Sequence, residues 1–149
     1  MEAVILVGLQ GAGKSSFYRE RFFNTHQRIS LDLLRTRHRE RRFLQFCVET
    51  RLRFVVDNTN PTRADRAVYI QAAKEVRFRV VGYHFQSRVE DCMRRNENRP
   101  TPQRVPYQAI LGTAGRMERP SIEEGFDELY YVKIDETCGF VVEGWRDEH

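Results

Sequence analysis

The sequence predicts an α/β fold, a parallel sheet of about five strands sandwiched by helices, and three observations carry that expectation. Short apolar runs alternate with helical patterns along the chain, which is the signature of βαβ units. The run Gly8-Leu9-Gln10-Gly11-Ala12-Gly13-Lys14-Ser15 follows the first apolar run and opens the first helical pattern. That is G-x-x-x-x-G-K-[ST] in the strand–loop–helix context that a phosphate-binding P-loop requires. Arg95 and Arg99 recur at i, i+4 before a proline-bounded stretch, the composition of an arginine-bearing lid. The expected architecture is therefore a P-loop NTPase-type sheet with such a lid.

Each element has a local reason. Ala3-Val4-Ile5-Leu6-Val7 is a continuous apolar run and reads as a buried strand over about 3–7. A helix over about 14–23 follows the P-loop. Arg28-Ile29-Ser30 reads as a short second strand. Leu31 to about Arg51 reads as one helix, with Leu33, Phe43, Leu44, Phe46 and Cys47 supplying its apolar contacts. Arg53-Phe54-Val55-Val56-Asp57 is the next strand. Pro61 suits the first turn of the following helix, with Asn60 as its N-cap, and that helix runs to about Glu75. Val76 to Phe85 reads as a fourth strand, and Ser87 as the cap of a helix reaching about Asn98. Pro106 to about Ala114 is a further short helix. Leu129 to Ile134 is a strand, and Phe140-Val141-Val142 a further edge strand.

The 149 residues support one core and are too few for two ordinary domains, so 1–149 is expected to be a single domain. No run is long enough to span a membrane, and no basic region leads into an apolar one at the N-terminus. Cys47, Cys92 and Cys138 are odd in number and lack metal-binding spacing, which points to thiols in a reducing, cytoplasmic setting. The net charge is +4, and 22 of the 25 basic residues are arginine. Guanidinium forks match phosphates, so a polyanionic partner is one explanation, and arginine-favouring codons are another.

The P-loop composition explains an ATP site. Gly8, Gly11, Ala12 and Gly13 let backbone N–H groups turn toward phosphate oxygens, with Ser16 at the helix opening beside them. Lys14 reaches the β- and γ-phosphates, and the Ser15 hydroxyl suits Mg²⁺. Asp57 ends an apolar strand, where a parallel sheet delivers side chains to its ligand, and suits Mg²⁺ or its waters; the run Asp57-Asn58-Thr59-Asn60 is equally good turn chemistry. Asp32 and Arg35 at i, i+3 would share a face at a helix start, one accepting a hydroxyl proton and the other holding a nearby phosphate. Arg35, Arg39 and Arg42 would share a longer helical face. Arg95 and Arg99 would cover the triphosphate, or else form a solvated basic helix end. No N-K-x-D guanine-reading motif is present, so a kinase that hands the γ-phosphoryl group to a second substrate is favoured over a GTPase.

Five ordered segments resemble the kinase domain of polynucleotide 5′-kinases, the phage and animal end-healing enzymes and their bacterial relatives. They are the P-loop, Ser30-Leu31-Asp32-Leu33-Leu34-Arg35, Asp57-Asn58-Thr59-Asn60-Pro61, Arg95-Asn96-Glu97-Asn98-Arg99 and Pro120-Ser121-Ile122-Glu123-Glu124-Gly125-Phe126. The resemblance implies transfer of the γ-phosphoryl group of ATP to the 5′-OH of DNA or RNA, with Mg²⁺. It implies Asp32 as general base, Arg35 on a substrate phosphate, Lys14 and Ser15 on ATP and Mg²⁺, and Arg95 and Arg99 on the transferring group. Leu31 departs from the polar residue of the Asn-Arg-Asp run in many relatives. No D-x-D-x-T phosphatase motif occurs, so a kinase-only protein is expected, or a kinase segment with a phosphatase or ligase partner. A small-metabolite kinase and an ATP-dependent RNA-binding switch are the alternatives.

Overall fold

The computed structural model describes residues 1–146. Its strands are β1 (Glu2–Val7), β2 (Gln27–Ile29), β3 (Phe54–Val56), β4 (Arg79–Phe85), β5 (Glu128–Ile134) and β6 (Phe140–Gly144). They form one sheet in the order β2-β3-β1-β4-β5-β6. The first five are parallel, and β6 returns antiparallel to β5 as an edge. The expected sheet of about five strands is thus a six-stranded one.

The helices are α1 (Lys14–Arg21), α2 (Leu31–Leu34), α3 (Arg37–Glu49), α4 (Arg63–Glu75), α5 (Val89–Glu97) and α6 (Tyr107–Arg116). Both faces of β1 are covered over Ala3 to Val7, which is why that run is continuously apolar. Ala3, Ile5 and Val7 face Leu44 and Cys47 of α3 and Tyr69, Ile70 and Ala73 of α4. Val4 and Leu6 face Phe17 and Tyr18 of α1. Phe17 is the hub of that second layer, with ring centroids 5.1–5.8 Å from Phe22, Tyr83, Phe85 and Phe140. Edge-to-face packing of this kind adds about 0.5–1.5 kcal/mol per pair beyond area burial.

Five local expectations are corrected. The helix expected over 31–51 is two helices, because Arg35 takes φ 75° and Thr36 restarts the chain as an N-cap, accepting from Arg39 N at 3.1 Å. Leu33 and Phe46 are 62% and 51% exposed and lie outside the buried core, Phe46 stacking on Phe43 at its margin. Asn60 is not the cap of α4. Thr62 is, in a capping box with Asp65, while Asn60 is buried with φ 48° and its Nδ2 donates to Leu6 O at 2.7 Å. Ser87 does not cap α5, whose N-cap is Arg88. The Ser87 hydroxyl instead accepts from Leu9 N at 3.1 Å and so supports the P-loop. Finally, residues 76–78 form the turn out of α4, with Arg77 at φ 62°, and β4 begins at Arg79.

Candidate functional site

The P-loop crosses from β1 to α1 at the carboxyl ends of the parallel strands. Gly11 and Gly13 take φ 84° and 99°, a region open to glycine and strained for other residues. Ala12 is buried in the loop, and its N–H donates to Leu9 O at 3.1 Å. Gly8 N donates to Thr59 O at 3.1 Å, which fixes the loop to the chain leaving β3. No side chain caps α1, so its first N–H groups and positive dipole end face the loop. Ser16 is exposed on the first turn and accepts from Arg19 Nη2 at 3.1 Å. Lys14 is buried and folds back, its Nζ donating to Gly8 O at 2.8 Å and Leu9 O at 2.7 Å. Burial lowers its pKa to about 8, against the raising pull of Asp57.

Ser15 and Asp57 meet beside this lysine. Ser15 Oγ donates to Asp57 Oδ2 at 2.8 Å, and the Asp57 side chain is only 2% exposed. Their oxygens fit a magnesium ion: hard donors at about 2.0–2.1 Å from an octahedral metal sit about 3 Å apart when adjacent. A third group, absent from the sequence expectation, completes the cluster. Arg28 of β2 donates from Nε to Asp57 Oδ2 at 2.8 Å and from Nη2 to Ser15 Oγ at 3.0 Å, with its guanidinium 5.8 Å from the Tyr18 ring centroid.

Asp32 lies exposed on α2, one turn past β2. Its helix is pinned from below by Leu31 N, which donates to Asn58 Oδ1 at 2.9 Å. Asn58 Nδ2 donates in turn to Glu40 Oε2 at 2.8 Å. The Glu40 side chain is 4% exposed and also accepts from Tyr69 OH at 2.5 Å and Arg37 Nη1 at 2.9 Å. Burial and this carboxylate push the Tyr69 hydroxyl pKa up, so Tyr69 remains a donor. Arg35 does not share a helical face with Asp32, because it closes α2 with φ 75°. Arg35, Arg39 and Arg42 are all exposed, but only the latter two share α3.

The arginine-bearing segment lies against the P-loop. A Cβ on Gly11 would come 2.4 Å from Cys92 O, so α5 seats on the loop only because Gly11 has none. Arg95 Nη1 donates to Gly11 O at 3.2 Å. Arg99 follows the end of α5, and its carbonyl accepts from Arg104 Nε at 2.7 Å. The buried Asn96 side chain bonds both Val105 O and Val105 N, folding the chain back so that α6 packs on α5. From α6, buried Thr113 accepts from Gln10 Nε2 at 3.1 Å. A cavity of about 340 Å³ is lined in part by Leu9, Gln86, Ser87, Arg88, Met117 and Tyr131, and Leu9 is its one P-loop residue.

Comparison with known proteins agrees with this geometry. A family model described as an AAA domain matches residues 4–120, well over half of the chain. The bifunctional polynucleotide phosphatase/kinase of Schizosaccharomyces pombe is 29% identical over 135 residues, covering 88% of this chain and 33% of that protein. The chain thus spans about a third of that relative's length. Among solved structures, a gluconokinase from Sinorhizobium meliloti 1021 aligns with TM-score 0.62 at 18% identity, over 91% of this chain and 83% of that one. Chaetomium thermophilum Kti12, in complex with ADP-AlF3, aligns with TM-score 0.68 at 16% identity, over 91% and 92%. The fold is that of P-loop kinases, and no described helix is long and apolar enough to cross a membrane.

Proposed function

This chain belongs to the AAA-domain family, and from that premise we propose that it transfers the γ-phosphoryl group of ATP to the 5′-hydroxyl end of a DNA or RNA strand. One observation carries the reading most: two consecutive residues at the end of β3 serve the two halves of the site. Asp57 bonds Ser15 on the nucleotide side, and Asn58 holds the amide that opens the Asp32 turn on the acceptor side. Likeness to the polynucleotide phosphatase/kinase supports the choice of acceptor.

In this mechanism Lys14 and the N–H groups of Gly11, Gly13, Ser15 and Ser16 hold the triphosphate, while those of Gly8 and Ala12 hold the shape of the loop around it. Ser15 and Asp57 would hold Mg²⁺ or its waters, and the ion would supply positive charge to the triphosphate. Asp32 takes the proton of the 5′-hydroxyl as its oxygen bonds to the γ-phosphorus. The bond from that phosphorus to the bridging oxygen breaks, and ADP leaves with the electron pair. Arg35 holds a phosphate of the acceptor strand, and Arg95 and Arg99 offset charge on the moving phosphoryl group. Phosphatase or ligase chemistry would come from a partner, and a cytoplasmic setting is part of the proposal.

A small-metabolite kinase is the second reading, favoured by the gluconokinase-like fold. It calls for an enclosed acceptor pocket. Here Asp32, Arg35, Arg39 and Arg42 are all exposed, which suits a long anionic strand better. The test is transfer of labelled γ-phosphate to 5′-OH oligonucleotides, DNA and RNA in parallel, with Mg²⁺. Label is expected at the 5′ end and lost in Lys14→Ala and Asp32→Asn. ATP binding without transfer to any oligonucleotide would overturn the proposal.

A further inference from the structure

We propose that Arg28 competes with the divalent cation for Ser15 and Asp57, so that the metal–nucleotide complex, and not nucleotide alone, displaces it. The inference rests on the reading of Ser15 and Asp57 as the Mg²⁺ site. Its basis is the arrangement of hydrogen bonds and charges around the two oxygens. The Ser15 hydroxyl gives its one hydrogen to Asp57 Oδ2 and accepts from Arg28 Nη2. Asp57 Oδ2 already accepts from Ser15 Oγ and Arg28 Nε. A metal bound to both oxygens would lie beside the guanidinium that now bridges them, and a guanidinium and Mg²⁺ repel at such range.

Arg28 is built to be both held and released. Asp57 is nearly sealed from water, so its charge requires a counter-charge on the spot. Arginine meets that need because its guanidinium keeps its proton at any ordinary pH. The Arg28 side chain is 25% exposed and arises from β2, a three-residue edge strand, so it can swing toward solvent without disturbing the core. Its contact with the Tyr18 ring gives a weaker cation-binding surface close by. The device discriminates against metal-free ATP: without the ion, Arg28 stays on Ser15 and Asp57.

The test is the affinity of a fluorescent ATP analogue for the full chain with saturating Mg²⁺ and with EDTA. The quantity of interest is the ratio of the two dissociation constants. Arg28→Met is expected to raise the Mg²⁺ enhancement about fivefold, equivalent to about 1 kcal/mol for a partly exposed ion pair. An unchanged or smaller enhancement would overturn the proposal. If Arg28→Met does not fold, the wild-type chain answers by NMR, with the Arg28 Nε–H resonance assigned by its loss in Arg28→Lys. That resonance is expected to move with Mg²⁺ plus a non-hydrolysable ATP analogue and to stay with the analogue in EDTA. A resonance that ignores Mg²⁺ contradicts the proposal. Asp57→Asn separates the two layers. If it removes the Mg²⁺ enhancement but Arg28→Met leaves it unchanged, only the role of Arg28 fails. If wild type and Asp57→Asn show no enhancement at all, the metal site fails and this inference with it.

Discussion

Lys14 is the side chain whose environment speaks most directly to nucleotide binding. It is sealed in the P-loop on two carbonyl oxygens, and burial brings its pKa from 10.5 down to about 8. A triphosphate brought to it favours the ammonium form, so binding near and above pH 8 takes up a proton. Affinity for ATP is therefore expected to fall as pH rises through about 8, and titration calorimetry in buffers of different ionisation enthalpy should register the uptake. Binding heats independent of buffer at pH 8.5 would contradict this. For folding the sign is opposite. Between pH 8 and 10.5 the unfolded chain holds the extra proton, so the Lys14 contribution to stability rises with pH across that window. Lys14, Ser15 and Asp57 were legible in the sequence because local spacing and a strand end announce them. Arg28, Asn58 and Glu40 were not. Arg28 lies 29 residues from Asp57, and Asn58 lies 18 from Glu40, so only the sheet order brings them together. One arginine among 22 carries no local mark of its role.

The same contrast holds among elements. Strand and helix periodicity exposed the βαβ order, and the corrections fall where a single residue decides a boundary. The chain breaks at Arg35 with neither glycine nor proline to signal it; the nearest cue is Thr36, a good N-cap that a continuous helix would leave unexplained. At α4 the capping box Thr62–Asp65 is readable, but Pro61 is good first-turn chemistry and sets the expected cap two residues early, at Asn60. Two contacts between elements give stability tests. Gly11→Ala is expected to push α5 off the P-loop, because the new Cβ meets Cys92 O and φ 84° strains a non-glycine residue. A lower melting temperature and weaker ATP binding should follow, with a loss of about 1–3 kcal/mol for the backbone alone. Arg66 ties α4 to the turn over 122–124 through a fully buried fork on Glu124, and donates to the Asn60 and Pro61 carbonyls. Arg66→Met leaves Glu124 charged without this partner and is expected to cost about 3–5 kcal/mol in urea denaturation. A loss below about 1 kcal/mol would show that solvent reaches the pair. The segment 120–126 thus has a structural role here, holding α4 in place.

At the scale of the whole molecule, Lys14 and Asp57 are packed between sheet, α1 and α5, and Asp32 with the arginines of α3 faces solvent. That asymmetry fits a small donor and a large acceptor. If the exposed arginines of α3 guide a single strand, the joint change Arg39→Ala and Arg42→Ala should reduce the salt slope of oligonucleotide binding by about 1.4. Each phosphate contact on a single strand contributes about 0.7. An unaltered slope in fluorescence anisotropy would place the strand elsewhere. The chain corresponds to only a third of its polynucleotide phosphatase/kinase relative, so its acceptor must be tested on the chain itself. The most direct measurement offers labelled ATP and Mg²⁺ to three acceptors side by side: a 5′-OH oligonucleotide, the same strand already 5′-phosphorylated, and a polyhydroxy acid such as gluconate. Label is expected on the 5′-OH strand alone, abolished by Asp32→Asn with ATP affinity intact. Label on the small acid and none on the strand would contradict it.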